Sequence, residues 1–145
     1  MNKLYDHDFF AWTQDQADAL KRRSANELDW ENLLEEVEDL GRSERRELRS
    51  RLIVLLTHII KWEVQPDMQS RSWMATIRTQ QRELRDLLGE SPSLKSALDR
   101  IWAKAYEDAQ EVAAIETAVQ IEDIRSAPRL NFEAVLTYRA DVSSA

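Results

Sequence analysis

Apolar side chains recur every three or four residues along almost the whole chain, which is the spacing of one face of an α-helix. One such face follows Asp29 and contains Trp30, Leu33, Leu34, Val37 and Leu40. A more apolar face between residues 48 and 62 is widened by extra Ile and Trp side chains, so we expect this segment to be the most buried. The pattern predicts an all-α protein.

Helix start and stop residues divide this pattern into five or six predicted helices. The predicted ranges are about 6–23, 30–40, 43–64, 71–88 and 92–119, with a short last helix after Asn131. Gly41 marks either the end of the second helix or a tolerated kink, and Gly89 marks the end of the fourth. Because the loops are short, neighbouring helices should pack antiparallel, with the third and fifth helices central.

A chain of 145 residues has the length of one domain. The prediction is therefore a single-domain antiparallel bundle over residues 1–145, with an ordered core from about 5 to 139 and a loose tail from 140 to 145. The first ten residues contain acids where a secretion signal is apolar. No apolar run is long enough to span a bilayer, so we expect a cytoplasmic protein without a membrane partner.

Composition removes several classes of function. The absence of cysteine excludes disulfide scaffolds, thiolate metal sites and thiol catalysis. Two glycines are too few for a phosphate-cradling loop or a dinucleotide fingerprint. The residues three positions before the two histidines, His7 and His58, are leucines, so the Glu-x-x-His pairs of di-metal carboxylate proteins are absent. The sequence therefore predicts no metal and no cofactor.

Charge is distributed unevenly within a net charge of −7. Residues 1–41 contain four basic and eleven acidic residues, whereas residues 42–86 contain ten basic and six acidic residues. The basic residues form two arginine stripes: Arg42, Arg45, Arg46 and Arg49, and then Arg78, Arg82 and Arg85. We interpret these stripes as solvated or paired with acids such as Glu47 and Asp86, and nucleic-acid binding is the alternative.

Polar residues on predicted apolar faces are the candidates for chemistry. Glu116 lies on the predicted stripe of the fifth helix, where a buried carboxylate must be paired, hydrogen-bonded or neutral. Thr13, Gln16, Gln80 and His58 lie on or beside other stripes. They form a satisfied hydrogen-bond network, or Glu116 reaches water where its helix extends beyond the core. The alternative is a pocket in which His58 is the acid/base and Glu116 its orienter, and the least favoured one is a metal ion bound by His58 and carboxylates. The carboxylates at 35–39, which include Glu36, form either a solvated face or a metal or general-acid site.

Short motifs distributed along the chain resemble a known family. They are Tyr5-Asp6-x-Asp8-Phe9-x-x-Trp12, Asp29-x-Glu31-Asn32-Leu33-x-Glu35-Glu36-Val37-Glu38-x-Leu40-Gly41, Leu55-Leu56-x-His58 with Lys61-Trp62 and Gln65-Pro66, Ser72-Trp73 and Ser91-Pro92-Ser93-Leu94. Over about residues 5–138 the chain resembles the bacterial domain-of-unknown-function family twenty-nine. The resemblance implies a compact all-α domain and brings no activity, substrate or cofactor. It adds binding candidates at Glu36, His58, Trp62, Gln65, Trp73, Arg82 and Glu116.

Three functions are consistent with these features. The favoured one is a non-catalytic protein-interaction or self-assembly module that presents a Trp-bearing groove or an acidic surface to a protein partner or a second copy. The second is an enzyme or small-ligand binder with a polar pocket around His58, Gln80 and Glu116. The third is a nucleic-acid-associated protein that uses the arginine stripes. An acidic chain without catalytic signatures favours the first over the other two.

Overall fold

The computed structural model describes residues 3–142, and all regular structure within that range is helical. The α-helices are α1 (Lys3–His7), α2 (Phe9–Lys21), α3 (Trp30–Val64), α4 (Arg71–Glu90), α5 (Leu94–Thr117), α6 (Ile121–Ser126) and α7 (Phe132–Leu136), and 3₁₀ turns occupy Ala25–Glu27 and Pro66–Met68. The all-α prediction is confirmed. The described residues contain seven α-helices rather than five or six, in part because Asp8 caps a new helix at Phe9 by accepting from the Ala11 amide.

Helix α3 does not end at Gly41, so the interpretation of this glycine as the end of the second helix is wrong. It continues as one α-helix of 35 residues from Trp30 to Val64. A glycine ends a helix when it adopts a left-handed conformation, and neither glycine of this chain has a positive φ. Gly89 likewise lies within α4, one residue before its end.

The left-handed positions are Arg23 and Ala118, with φ of 54° and 59°. Arg23 follows α2 in a Schellman arrangement, in which the Ser24 amide donates to the Ala19 carbonyl at 2.9 Å. Ala118 ends α5. Both positions have a conformation that favours glycine, yet both carry a side chain.

The chain forms two compact units, residues 1–44 and residues 45–145. The single-domain prediction over 1–145 stays a prediction. In the described part of the amino-terminal unit, the buried residues are Trp12, Gln16 and Ala19 of α2. The Trp12 indole donates to the Asp29 carboxylate at 3.0 Å, and the Gln16 side chain accepts from the Asp29 amide at 2.7 Å. These bonds attach the start of α3 to α2.

The carboxy-terminal unit contains a continuous apolar core to which α3, α4 and α5 all contribute. Fully buried members include Leu48, Leu52, Leu55, Leu56 and Ile59 of α3, Ile77 and Leu84 of α4, and Ala105, Ala109 and Ala113 of α5. The stripe predicted for residues 48–62 is confirmed. The small alanine side chains of α5 allow close approach by neighbouring helices.

The buried face of α5 differs from the predicted one after Ala109. It continues at Ala113 and Thr117, so Val112 and Glu116 are exposed. Thr117 satisfies its own hydroxyl by donating to the Ala113 carbonyl at 2.6 Å. The placement of Glu116 on the buried stripe is therefore wrong, and the alternative in which its carboxylate reaches water agrees with the structure.

The carboxy-terminal segment is packed further than predicted. Ala140 is buried, and Asp141 accepts a hydrogen bond from Arg78 at 2.7 Å. The predicted loose tail therefore does not begin at residue 140, and its last residues, 143–145, lie outside the described residues. Among residues 3–142, no helix combines the length and apolar character needed to cross a membrane.

Candidate functional site

The first half of α3 carries an apolar face that is not buried. Trp30, Leu34, Val37 and Leu40 are between 60 and 67% exposed. Helical spacing places these four side chains, the α3 stripe, on one side of about three turns, a length of roughly 15 Å. The sequence pattern predicted this apolar face, and the structure leaves its tryptophan, Trp30, exposed.

One edge of this apolar face makes internal contacts of the amino-terminal unit. Glu36 lies at this edge and accepts a hydrogen bond from the Tyr5 hydroxyl of α1, and Leu33, which shares the apolar face with the stripe, is half-buried. The Tyr5 ring lies 4.8 Å from Trp12, edge to face. Internal packing therefore covers this face only in part, and the four residues of the α3 stripe remain at the surface.

The Tyr5–Glu36 contact also sets the ionisation of Tyr5. The hydrogen bond to the Glu36 carboxylate raises the pKa of Tyr5 to about 12, because the bond requires the phenol proton and a phenolate beside a carboxylate is repelled. Glu36 therefore joins α1 to α3 within the amino-terminal unit. Glu36 is the first of the binding candidates that the sequence indicated, and its partner is Tyr5.

Trp30 begins the α3 stripe and is held in a defined orientation. Its indole Nε1 donates to the Ala25 carbonyl of the preceding 3₁₀ turn at 3.2 Å. The ring remains 63% exposed. A large aromatic side chain that is oriented before binding loses less conformational entropy on contact with a partner, which is the property of interface anchors.

Acidic side chains accompany the α3 stripe. Glu31 and Glu38 are exposed and lie on one edge of it, about a quarter turn from Trp30 and Val37. Residues 1–44 contain twelve acidic and five basic residues. Glu38 forms an ion pair with Arg42 at 3.6 Å. Both residues are included in these counts, so the unit keeps its excess of negative charge. The surface therefore combines an apolar strip with an acidic border.

Three other sequence candidates meet at the carboxyl end of α5, in the second unit. The Lys61 ammonium donates to the Glu116 carboxylate at 2.7 Å and lies 4.6 Å from the centre of the Trp73 ring. Gln65, one turn after Lys61, donates to the Thr117 carbonyl at 2.9 Å. The Gln65 amide thus satisfies a carbonyl group at the end of α5 that lacks a helical partner, and the Lys61 cation lies near the negative end of the helix dipole. The sequence analysis missed Lys61 as the residue that joins this group.

His58 and Gln80 form hydrogen bonds with residues outside the group around Lys61. The His58 Nδ1 atom lies 2.8 Å from the Val54 carbonyl of the same helix, and the Gln80 carbonyl accepts from Arg51 at 3.4 Å. None of the hydrogen bonds found among the described residues joins either side chain to Glu116. The structure therefore gives no support to a pocket shared by these three residues.

The buried glutamine of α4 is Gln81, which the sequence analysis missed in favour of its neighbour. Gln81 donates to the Val135 and Tyr138 carbonyls at 3.0 and 2.9 Å. Gln81 lies four residues after Ile77, and this helical spacing was the signal in the sequence that its side chain is buried as well. Of the remaining candidates, Trp62 is buried and Arg82 is exposed.

The arginine stripes largely pair with acids or carbonyls. Arg49 donates to Asp108 at 2.8 Å and Arg78 to Asp141 at 2.7 Å, while Arg85 donates to the Leu136 carbonyl. Within residues 3–142, no three His, Asp or Glu side chains converge as ligands of a metal ion would.

Comparison with known proteins identifies a family. The family model described as "Domain of unknown function DUF29" matches residues 4–139 of the chain. No curated protein and no solved structure matches it.

Proposed function

The chain belongs to the DUF29 family, whose description states no activity, and we propose that it is a helical protein-interaction module. The α3 stripe is the docking surface. Its occupant is an amphipathic helix of another protein, with an apolar face and basic flanks. The observation that supports this most directly is the exposure of Trp30, Leu34, Val37 and Leu40 on one face of a long helix.

The apolar strip supplies the attraction. Amphipathic partner helices bind through side chains at intervals of three and four residues, which is the spacing of the α3 stripe. Complete burial of an aliphatic side chain such as Leu34 or Val37 contributes about 1.5–3 kcal/mol. Two such residues and the oriented Trp30 ring are enough to anchor a helix, because a few central residues dominate most interfaces.

Charge favours a basic partner over a second copy. Two copies paired through the α3 stripe would bring the acidic borders at Glu31 and Glu38 of each chain together, and like charges at an interface are repulsive. A partner helix with Lys or Arg beside its apolar face would instead pair with these carboxylates. We retain a cytoplasmic location and a single antiparallel bundle as parts of the same proposal.

Calorimetric titration with a synthetic helix tests this proposal. The probe is a peptide with Leu at helical spacing and Lys at the flanking positions, and its control has Glu in place of Lys. We expect the Leu/Lys peptide to bind, more weakly at high salt, and the Leu/Glu peptide not to bind. Leu34→Ser should weaken binding at least tenfold, since it removes a buried contact.

Ile115→Ser is the matched control variant, because Ile115 is a highly exposed apolar residue of α5 outside the α3 stripe. It should leave the affinity unchanged. Equal affinity of the Leu34→Ser and Ile115→Ser proteins for the peptide would reduce the interaction to non-specific charge attraction and refute the docking surface. Light scattering should find a monomer. A dimer that Leu34→Ser dissociates would identify the occupant as a second copy and overturn the choice of a basic helix.

A further inference from the structure

A cavity of about 260 Å³ lies in the carboxy-terminal unit between α3, α5 and α6. Ile59, Ile60 and Val64 of α3 form one wall, and Ile124 of α6 and Leu130 form another. It is distinct from the α3 stripe and from the group around Lys61. An apolar cavity of about 150 Å³ holds a benzene molecule, so this one has room for a ring with a short side chain.

The cavity contains a polar side chain that the protein itself does not satisfy. Gln110 of α5 lines it and is 2% exposed. Its Oε1 atom is excluded from solvent and has no hydrogen-bond partner among the described residues. A buried acceptor without a donor costs about 1–3 kcal/mol. By contrast, the buried amide of Gln81 is bonded to two carbonyls.

The remaining polar groups of the cavity are already engaged. The Tyr106 hydroxyl accepts from the Leu130 amide at 3.2 Å and fixes the segment that closes one side. Glu63 accepts from the Tyr138 hydroxyl. Glu63 is exposed and places a carboxylate at the rim, while the Arg129 guanidinium lies 5.1 Å from the centre of the Tyr106 ring. Among the cavity-lining side chains, Gln110 therefore carries the buried acceptor that lacks a partner.

We propose that this cavity is a binding site for a small neutral molecule that has an apolar body and one hydrogen-bond donor, which bonds to Gln110 Oε1. The apolar walls receive the body and exclude water. A hydroxyl or amide N–H fits the position better than an ammonium group, because burying a charge without a charged partner is unfavourable. An acid is disfavoured for the same reason, because its carboxylate would be buried among apolar walls.

Three probes with the same phenylalkyl body test the assignment: 2-phenylethanol, ethylbenzene and 3-phenylpropionate. Binding is followed by the backbone amide NMR resonances of residues that line the cavity, including Tyr106 and Ile124. We expect 2-phenylethanol to bind about tenfold more tightly than ethylbenzene, the value of one hydrogen bond to a buried acceptor. The propionate should bind most weakly of the three.

Gln110→Met has nearly the same length as glutamine and removes the acceptor. It should abolish the tenfold preference for the alcohol while ethylbenzene still binds. Gln80→Met is the matched control, because Gln80 lies on α4 outside the cavity, and it should retain the preference. Ala127→Phe should block both probes, since Ala127 is exposed and lines the opening.

Two results would overturn the assignment. One is the absence of any shift at cavity resonances up to the solubility limit of the probes. The other is an unchanged alcohol preference in the Gln110→Met protein, which would show that the donor bonds to another group. If Gln110→Met were misfolded, loss of alcohol and ethylbenzene binding in Ala127→Phe alone would still locate the site.

Discussion

Ala118→Gly should increase the stability of the protein, although it removes a methyl group. Ala118 ends α5 with φ 59° and ψ 15°, in the left-handed region where a Cβ atom approaches the following carbonyl oxygen. The chain cannot relax easily, because Thr117 is buried and its carbonyl accepts from Gln65 at 2.9 Å. Glu116 is held by Lys61 at the same end.

The magnitude follows from two opposing contributions. The left-handed conformation costs a residue with a side chain roughly 1–2 kcal/mol, and glycine avoids this cost. Glycine also gains freedom in the unfolded chain, which reduces the benefit by about 0.5–1 kcal/mol. Ala118 is exposed, so the lost methyl group contributes little packing. The expected net gain is about 0.5–1 kcal/mol.

Urea denaturation of the variant measures this gain as a higher midpoint at unchanged slope. Ala103→Gly is the matched control, since Ala103 is an exposed residue inside the same helix. Glycine there should destabilise the protein by about 1 kcal/mol. If both variants lost stability to a similar extent, the residue at 118 would not be left-handed and the interpretation of the α5 end would be refuted.

Three further predictions concern side-chain hydrogen bonds. Glu36→Gln should lower the pKa of Tyr5 from about 12 toward its ordinary value, as measured by the ultraviolet absorbance of the phenolate. Because the folded pKa is the higher one, the contribution of this bond is fully present below about pH 10 and disappears as the pH rises toward 12. Gln65→Met should destabilise the protein by about 1 kcal/mol in denaturation experiments, because the Thr117 carbonyl loses its donor. Gln110→Met should raise the melting temperature, because it removes a buried acceptor that has no partner.

Each of these three predictions has a control variant at another position in the chain. Glu63→Gln should alter the titration of Tyr138, whose pKa is raised by burial and by Glu63, and leave Tyr5 unchanged. Gln14→Met and Gln80→Met should change stability by less than about 0.5 kcal/mol, because Gln14 is exposed on α2 and Gln80 is only partly buried. A Tyr5 titration insensitive to Glu36→Gln, or stability changes equal to those of the controls, would contradict the assigned hydrogen bonds.

Periodicity predicted the helices well because most of them bury one face. The 48–62 segment of α3 shows this, since its stripe is the core of the second unit. The pattern failed where steps of three and four are both allowed. After Ala109 the buried face of α5 advances by four residues to Ala113, and the predicted step of three placed Glu116 inside. Only contacts with other helices determine which step is taken.

The candidate residues were found more reliably than their partners. Lys61 contacts Trp73 and Glu116, and Gln65 bonds to the residue after Glu116, whereas the predicted pocket combined Glu116 with His58 and Gln80. Such partners lie about fifty residues apart in sequence, and local spacing carries no information on that distance. Gln110 was missed for a related reason. A glutamine on an alanine-rich helix resembles a surface residue until the cavity around it is known.

The two halves of α3 show what an apolar stripe can and cannot specify. Both halves follow the same helical spacing, yet Leu52 is fully buried and Leu34 is 60% exposed. Periodicity shows that a face is apolar, but it does not show what covers that face. Charge provides the missing information at the first half, because the acidic border at Glu31 and Glu38 is compatible with a basic helix and repels an identical acidic surface. The same reasoning predicts that Glu31→Lys with Glu38→Lys will weaken binding of the Leu/Lys peptide and allow the Leu/Glu peptide to bind instead. Loss of both peptides in this double variant would show that charge does not select the partner.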